Sequence, residues 1–189
     1  MQKTSLRLTR ANVGLVVVDV QERLLPAIFE QQRVVQNTVR LIQEAGSLKV
    51  PIFATEQYRK GLGATVPEVA AAIPGFAPME KVAFSACGAD GFIAALKAKK
   101  VSEAVLCGIE AHVCVQQTVL DLLADGWRVY VAADATGSRF EADRRIALGR
   151  MDSAGATLTT TEAALFEWCE AAGTPEFKQI SQLAKEQGP

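Results

Sequence analysis

Apolar residues along the chain follow two alternating patterns. Short runs rich in valine, such as LVVV at 15–18 and VYVA at 129–132, are separated by longer stretches in which apolar positions recur every three to four residues. The first pattern belongs to strands buried on both faces, the second to amphipathic helices. Strands are expected near residues 14–19, 51–55, 80–83, 103–107, 128–132 and 156–159. Helices are expected near 31–47, 90–99, 113–125, 141–154 and 161–170, with a polar helix from about 175. This alternation predicts a three-layer α/β/α, Rossmann-like domain with a central, mostly parallel sheet of about six strands. A length of 189 residues fits a single domain over 1–189. One stretch breaks the rhythm. Residues 56–78, EQYRKGLGATVPEVAAAIPGFAP, read as a long irregular region rich in Gly and Pro, and loops of that length are usually functional.

Composition narrows the partners. With 49% apolar residues the chain can fill a core, and 20 basic residues against 21 acidic ones leave a formal charge of −1 without a clustered basic face. Nucleic acid is therefore not an expected partner. The opening segment MQKTSLRLTRANVG has basic residues but no continuous apolar region, and the longest apolar run, GLVVVDV, is too short to span a bilayer. A cytoplasmic protein without a membrane partner is expected. Four cysteines (Cys87, Cys107, Cys114, Cys169) show no CxxC pairing, and a single histidine leaves no usual zinc spacing. Free thiols, no metal and no cofactor follow as expectations.

In open α/β sheets ligands bind beyond the carboxyl ends of the strands, where strand order reverses. Asp19 ends the first expected strand, Thr55 and Glu56 the second, Lys81 lies in the third, and the turn GIEAH after the fourth leads to Cys114. A thiol at a helix start feels the positive end of the dipole, which favours thiolate and makes Cys114 a candidate nucleophile. Asp19, following LVVV, would be partly desolvated and need a cation such as Lys81; the bland alternative is a carboxylate capping the next turn. Lys81 stands out because VAFSA flanks it, whereas Lys97, Lys99 and Lys100 read as the polar end of a helix. His112 is a candidate general base, but its place two residues before Cys114 in one tight turn favours a turn or pocket-wall role. Cys107 and Cys169 read as packing residues and Cys87 as a loop residue.

These residues carry a resemblance. LVVVDVQERL with Asp19, EKVAFSA with Lys81 and GIEAHVCV with Cys114 resemble the motifs of the isochorismatase-like cysteine hydrolases, which include nicotinamidases and N-carbamoylsarcosine amidases. TEQYRKGLGATVPE, LCGIEAHVC and RRIALGRMDSAGA are similar to the isochorismatase domain-containing branch of that family. The resemblance implies an Asp19, Lys81 and Cys114 triad that cleaves a small amide or related C–N bond through a thioester. It further implies a cis peptide between Ile109 and Glu110 and an oxyanion hole from the amides of Glu110 and Cys114. Where nicotinamidases carry metal-binding Asp and His, this chain has Thr55, Glu56, Gln57 and Tyr58, so a metal site of that type is not expected. A pocket wall of Gln21, Tyr58, Leu62, Phe84 and His112 suits a small, mostly uncharged substrate. Family members commonly form dimers or larger assemblies, which implies a homo-oligomer. Three alternatives stay open: vinyl ether hydrolysis of the isochorismatase type, a non-catalytic binding module, and thiol transfer using Cys114 with Cys87 as resolving thiol.

Overall fold

The structure, a computed structural model, describes residues 7–185. Residues 1–6 and 186–189, the two ends of the expected 1–189 domain and the start of its basic opening segment, lie outside the described residues. Six strands, β1 (Val13–Val18), β2 (Ile52–Gln57), β3 (Met79–Lys81), β4 (Glu103–Ile109), β5 (Arg128–Gly137) and β6 (Thr157–Thr159), form one sheet in the order β3-β2-β1-β4-β5-β6. Every neighbouring pair is parallel. The expected three-layer α/β/α architecture is the observed one.

Strand periodicity explains how the layers form. All six residues of β1 are buried, because β2 and β4 flank it and both its faces are covered. Leu15 and Val17 join Val105 and Cys107 in a core on one face, while Val16 and Val18 join Ala104 and Leu106 in a core on the other. Helix α1 (Gln31–Ser47) closes the first face with Leu41, Ile42 and Ala45, spaced for one side of a helix. The later helices α7 (Thr161–Cys169) and α8 (Pro175–Lys185) complete that layer through Leu165, Trp168 and Ile180. Helices α4 (Phe92–Ala98), α5 (Gln116–Ala124) and α6 (Glu141–Ser153) cover the second face with Phe92, Leu96, Val119, Leu122 and Met151.

The stretch expected to be irregular contains two short helices, α2 (Arg59–Leu62) and α3 (Pro67–Ala72). Pro67 opens α3 with a backbone angle already suited to a helix, and Val69 and Ile73 anchor it in the first core. Tertiary burial of these two residues thus organises a segment whose composition reads as loop.

Strands β1 to β3 progress to one side and β4 to β6 to the other, so the order reverses between β1 and β4. The residues just past their carboxyl ends, Asp19 and Glu110–Cys114, therefore share the crevice at the switch point. Close approach there depends on Gly108, which pairs with Val18 at φ +117° and where an added Cβ would overlap the Val18 carbonyl oxygen.

Candidate active site

Asp19 follows β1 with a left-handed backbone (φ 51°), its N–H donating to the Thr55 carbonyl at 3.2 Å. Its carboxylate is fully buried and both oxygens are occupied: Thr55 Oγ1 donates to Oδ1 at 2.7 Å and Lys81 Nζ to Oδ2 at 2.6 Å. Lys81 Nζ also donates to Gln57 Oε1 at 2.8 Å, the Phe84 carbonyl at 2.8 Å and, more weakly, the Ala83 carbonyl at 3.3 Å. A buried ion pair is tolerable only when its remaining polar atoms are satisfied, and here three ammonium protons meet four fixed acceptors.

Cys114 lies in a π-helical turn, Ala111–Val115, between β4 and α5, with the Val115 N–H donating to the Glu110 carbonyl at 3.2 Å. It is 4% exposed, and its thiol lies within electrostatic reach of both Asp19 and Lys81. Burial, followed by the Asp19 charge, pushes the thiol up to about 12, against the opposing pull of Lys81. This corrects the expectation that the helix start lowers it: desolvation and a neighbouring carboxylate outweigh the dipole. Burial also pushes Cys87 up to about 11, so neither sulfur of the thiol-transfer alternative is activated in the resting protein. Thr118 ties the Cys114 segment to the Lys81 loop, donating through Oγ1 to the Cys114 carbonyl at 2.7 Å and accepting from the Ala86 N–H at 2.8 Å. The Ile109–Glu110 peptide is cis, and among the described residues the Glu110 N–H has no acceptor.

Residues 13–163 match the isochorismatase domain. The chain belongs to the isochorismatase family. Isochorismatase domain-containing protein 2 of Danio rerio is 40% identical over 184 residues, covering 97% of this chain and 92% of the relative. A Caenorhabditis elegans structure described as MAR1 ribonuclease superposes with a TM-score of 0.89 at 38% identity, covering 97% of this chain and 94% of that one. YcaC of Escherichia coli, described as an octameric hydrolase of unknown specificity, gives a TM-score of 0.88 at 26% identity over 96% of this chain and 92% of its own. Family membership and these neighbours support a hydrolase-type function.

Around this isochorismatase-family centre the expected pocket residues divide into two groups. Gln21 is fully buried, its Nε2 donating to the carbonyls of Gln57 (3.0 Å) and Gly63 (2.7 Å) and its Oε1 accepting from the Gln57 N–H (2.7 Å). Its amide is spent on strapping the β1 and β2 loops together. Leu62 is half-buried in α2 beside that strap. Tyr58 (54% exposed) and Phe84 (53%) stand at the surface with Val82 (80%). Tyr58 and Val82 border a cleft of about 460 Å³ that reaches Lys81 but is not lined by Asp19 or Cys114. His112 pairs through Nδ1 with the buried Ser138 hydroxyl at 3.0 Å. Glu56 is buried and accepts from the Thr65 N–H (2.7 Å) and hydroxyl (2.8 Å) and from Arg59 (3.0 Å). Among the described residues no group of three or more His, Cys, Asp or Glu side chains is placed to hold a metal ion, and no helix is long and apolar enough to cross a membrane.

Sequence reading set Thr55 at the strand end facing the crevice without giving it a role and did not assign Gln57 to the site, although both touch its ion pair. A signal for them existed: in a strand the side chains of residues 55 and 57 point the same way, so a partner for one at the strand end implies a partner for the other.

Proposed function

We propose that the protein is a cysteine hydrolase that cleaves a small amide or related C–N bond, with Cys114 as nucleophile, Asp19 as general base and then acid, and Lys81 holding the carboxylate in place. The observation that supports this most is a buried Cys114 thiol on which both members of a fixed Asp19–Lys81 pair act. A thiol pushed up to about 12 cannot supply much thiolate by itself at neutral pH, so its proton must leave to a positioned base as the bond forms. Asp19 takes that proton while sulfur attacks the carbonyl carbon. Collapse of the tetrahedral species breaks the C–N bond, and Asp19 returns the proton to the departing amine. Water, deprotonated by Asp19 in turn, then hydrolyses the thioester and regenerates the thiol. The N–H groups of Glu110 and Cys114 are assigned to the oxyanion, a role for which the unpaired Glu110 donor is suited. We further assign Tyr58, Leu62, Phe84 and His112 to the substrate wall, with Gln21 behind it, and a homo-oligomeric assembly in the manner of the octameric YcaC relative.

Turnover of a panel of primary amides, ureides and carbamoyl compounds tests the reading, with RNA as a further arm because of the nematode relative's description. Ammonia or amine release that disappears in Cys114→Ala supports it. Hydrolysis that survives in a folded Cys114→Ala protein, or RNA cleavage with no amide turnover, overturns it.

A further inference from the structure

Lys81 arrives from the short edge strand β3, and nothing in its own element aims its side chain at Asp19. The grip comes from the end of β2. The Tyr58 N–H donates to the Lys81 carbonyl at 2.8 Å, fixing the backbone. Gln57 then binds twice: its Oε1 accepts from Lys81 Nζ at 2.8 Å, and its Nε2 donates to the Val82 carbonyl at 2.7 Å. The two contacts fix the sense of the amide, since only oxygen can face the ammonium and only nitrogen can face the carbonyl. The Val82 contact also holds the start of the loop whose next two carbonyls, Ala83 and Phe84, complete the lysine's surroundings. Gln57 is itself held, its N–H donating to Gln21 Oε1 and its carbonyl accepting from Gln21 Nε2.

We propose that Gln57 is the positioning residue of this site, holding the Lys81 ammonium against Asp19 and Cys114 as an uncharged acceptor that takes no part in the proton transfers. Neutrality is the point of the choice. A carboxylate at residue 57 could still accept from the lysine, but it would lose the donor to the Val82 carbonyl, compete with Asp19 for the lysine's charge and cancel the pull that Lys81 exerts on the Cys114 thiol. The inference rests on the Asp19–Cys114 coupling of the proposed function, and the test separates the two.

The measurement is the rate of iodoacetamide labelling at Cys114 against pH, mapped by peptide mass on the folded full-length protein, which needs no substrate. Gln57→Glu, nearly isosteric, moves the labelling profile up by about one pH unit. Gln57→Leu takes one of the four acceptors from Lys81, makes it rely on the longer Ala83 contact, leaves the Val82 carbonyl unmet and changes the labelling rate at fixed pH by about tenfold. Gln57→Asn, with the amide intact but one methylene short, falls between Gln57→Leu and wild type. Asp19→Asn is the control and moves the profile down. An unmoved Asp19→Asn profile overturns the coupling and the Gln57 role with it. A moved Asp19→Asn profile with Gln57→Glu superimposed on wild type overturns the Gln57 role alone, and should Gln57→Leu fail to fold, the Glu and Asn variants decide.

Discussion

Glu44 sits on the inward face of α1, fully buried, with neither carboxylate oxygen hydrogen-bonded. Burial, and then the charge of Glu176 on α8, raises it from 4.5 to about 7. Between those two values the native protein keeps a proton that the unfolded chain has released. The native state binds more protons there, so stability falls as pH rises through that window. At about 1.4 kcal/mol per pH unit the penalty approaches about 3 kcal/mol once the pH exceeds 7. Glu44→Gln cannot ionise and escapes it. The variant is expected to match wild type near pH 4.5 and to be more stable by up to about 3 kcal/mol at pH 8, a gap in Tm of roughly 6–12 °C for a chain of this size. Thermal and urea unfolding at pH 4.5, 6 and 8 measures the difference directly. A gap that does not change with pH, or a Gln variant less stable than wild type at pH 8, would refute the reasoning.

Three further outcomes are expected. Asp19→Asn should lower kcat/KM by at least ~100-fold and Lys81→Ala comparably, with the double variant little worse than either single one, because the pair acts as a unit; simple additivity in that cycle would count against the triad. Gly108→Ala forces a Cβ into the Val18 carbonyl at a φ of +117° and should destabilise by more than about 3 kcal/mol, read as insoluble protein or a lowered urea midpoint; a normal midpoint would show that β1 and β4 can separate at the switch point. Treatment with EDTA or 1,10-phenanthroline should leave amide turnover unchanged, and stoichiometric metal whose removal abolishes turnover would contradict this.

Much of the architecture is legible in the sequence because burial on both faces leaves an unmistakable signature. The apolar runs of β1 and β4 and the three-to-four spacing of α1 locate those elements within a residue or two, and the alternation of strands and helices implies the parallel sheet. Asp19, Lys81 and Cys114 are legible as well, since each follows or lies within an apolar run where a polar side chain needs a reason. Other features are not local. Strand β5 continues to Gly137, through ADATG, because β4 pairs with it there beyond a register shift, not because those residues favour a strand. Thr55 and Gln57 become part of the site only when β2 lies between β1 and β3, since their partners are 36 and 24 residues away in the chain. The thiol shows the division most clearly. Read along the chain, Cys114 meets a helix start, which favours thiolate. In the folded protein it meets exclusion from water and a carboxylate delivered by a distant strand, and at low dielectric those two effects outweigh the dipole. Local sequence determined which residue types stand at the strand ends. Only the tertiary structure decided which of them share a charge.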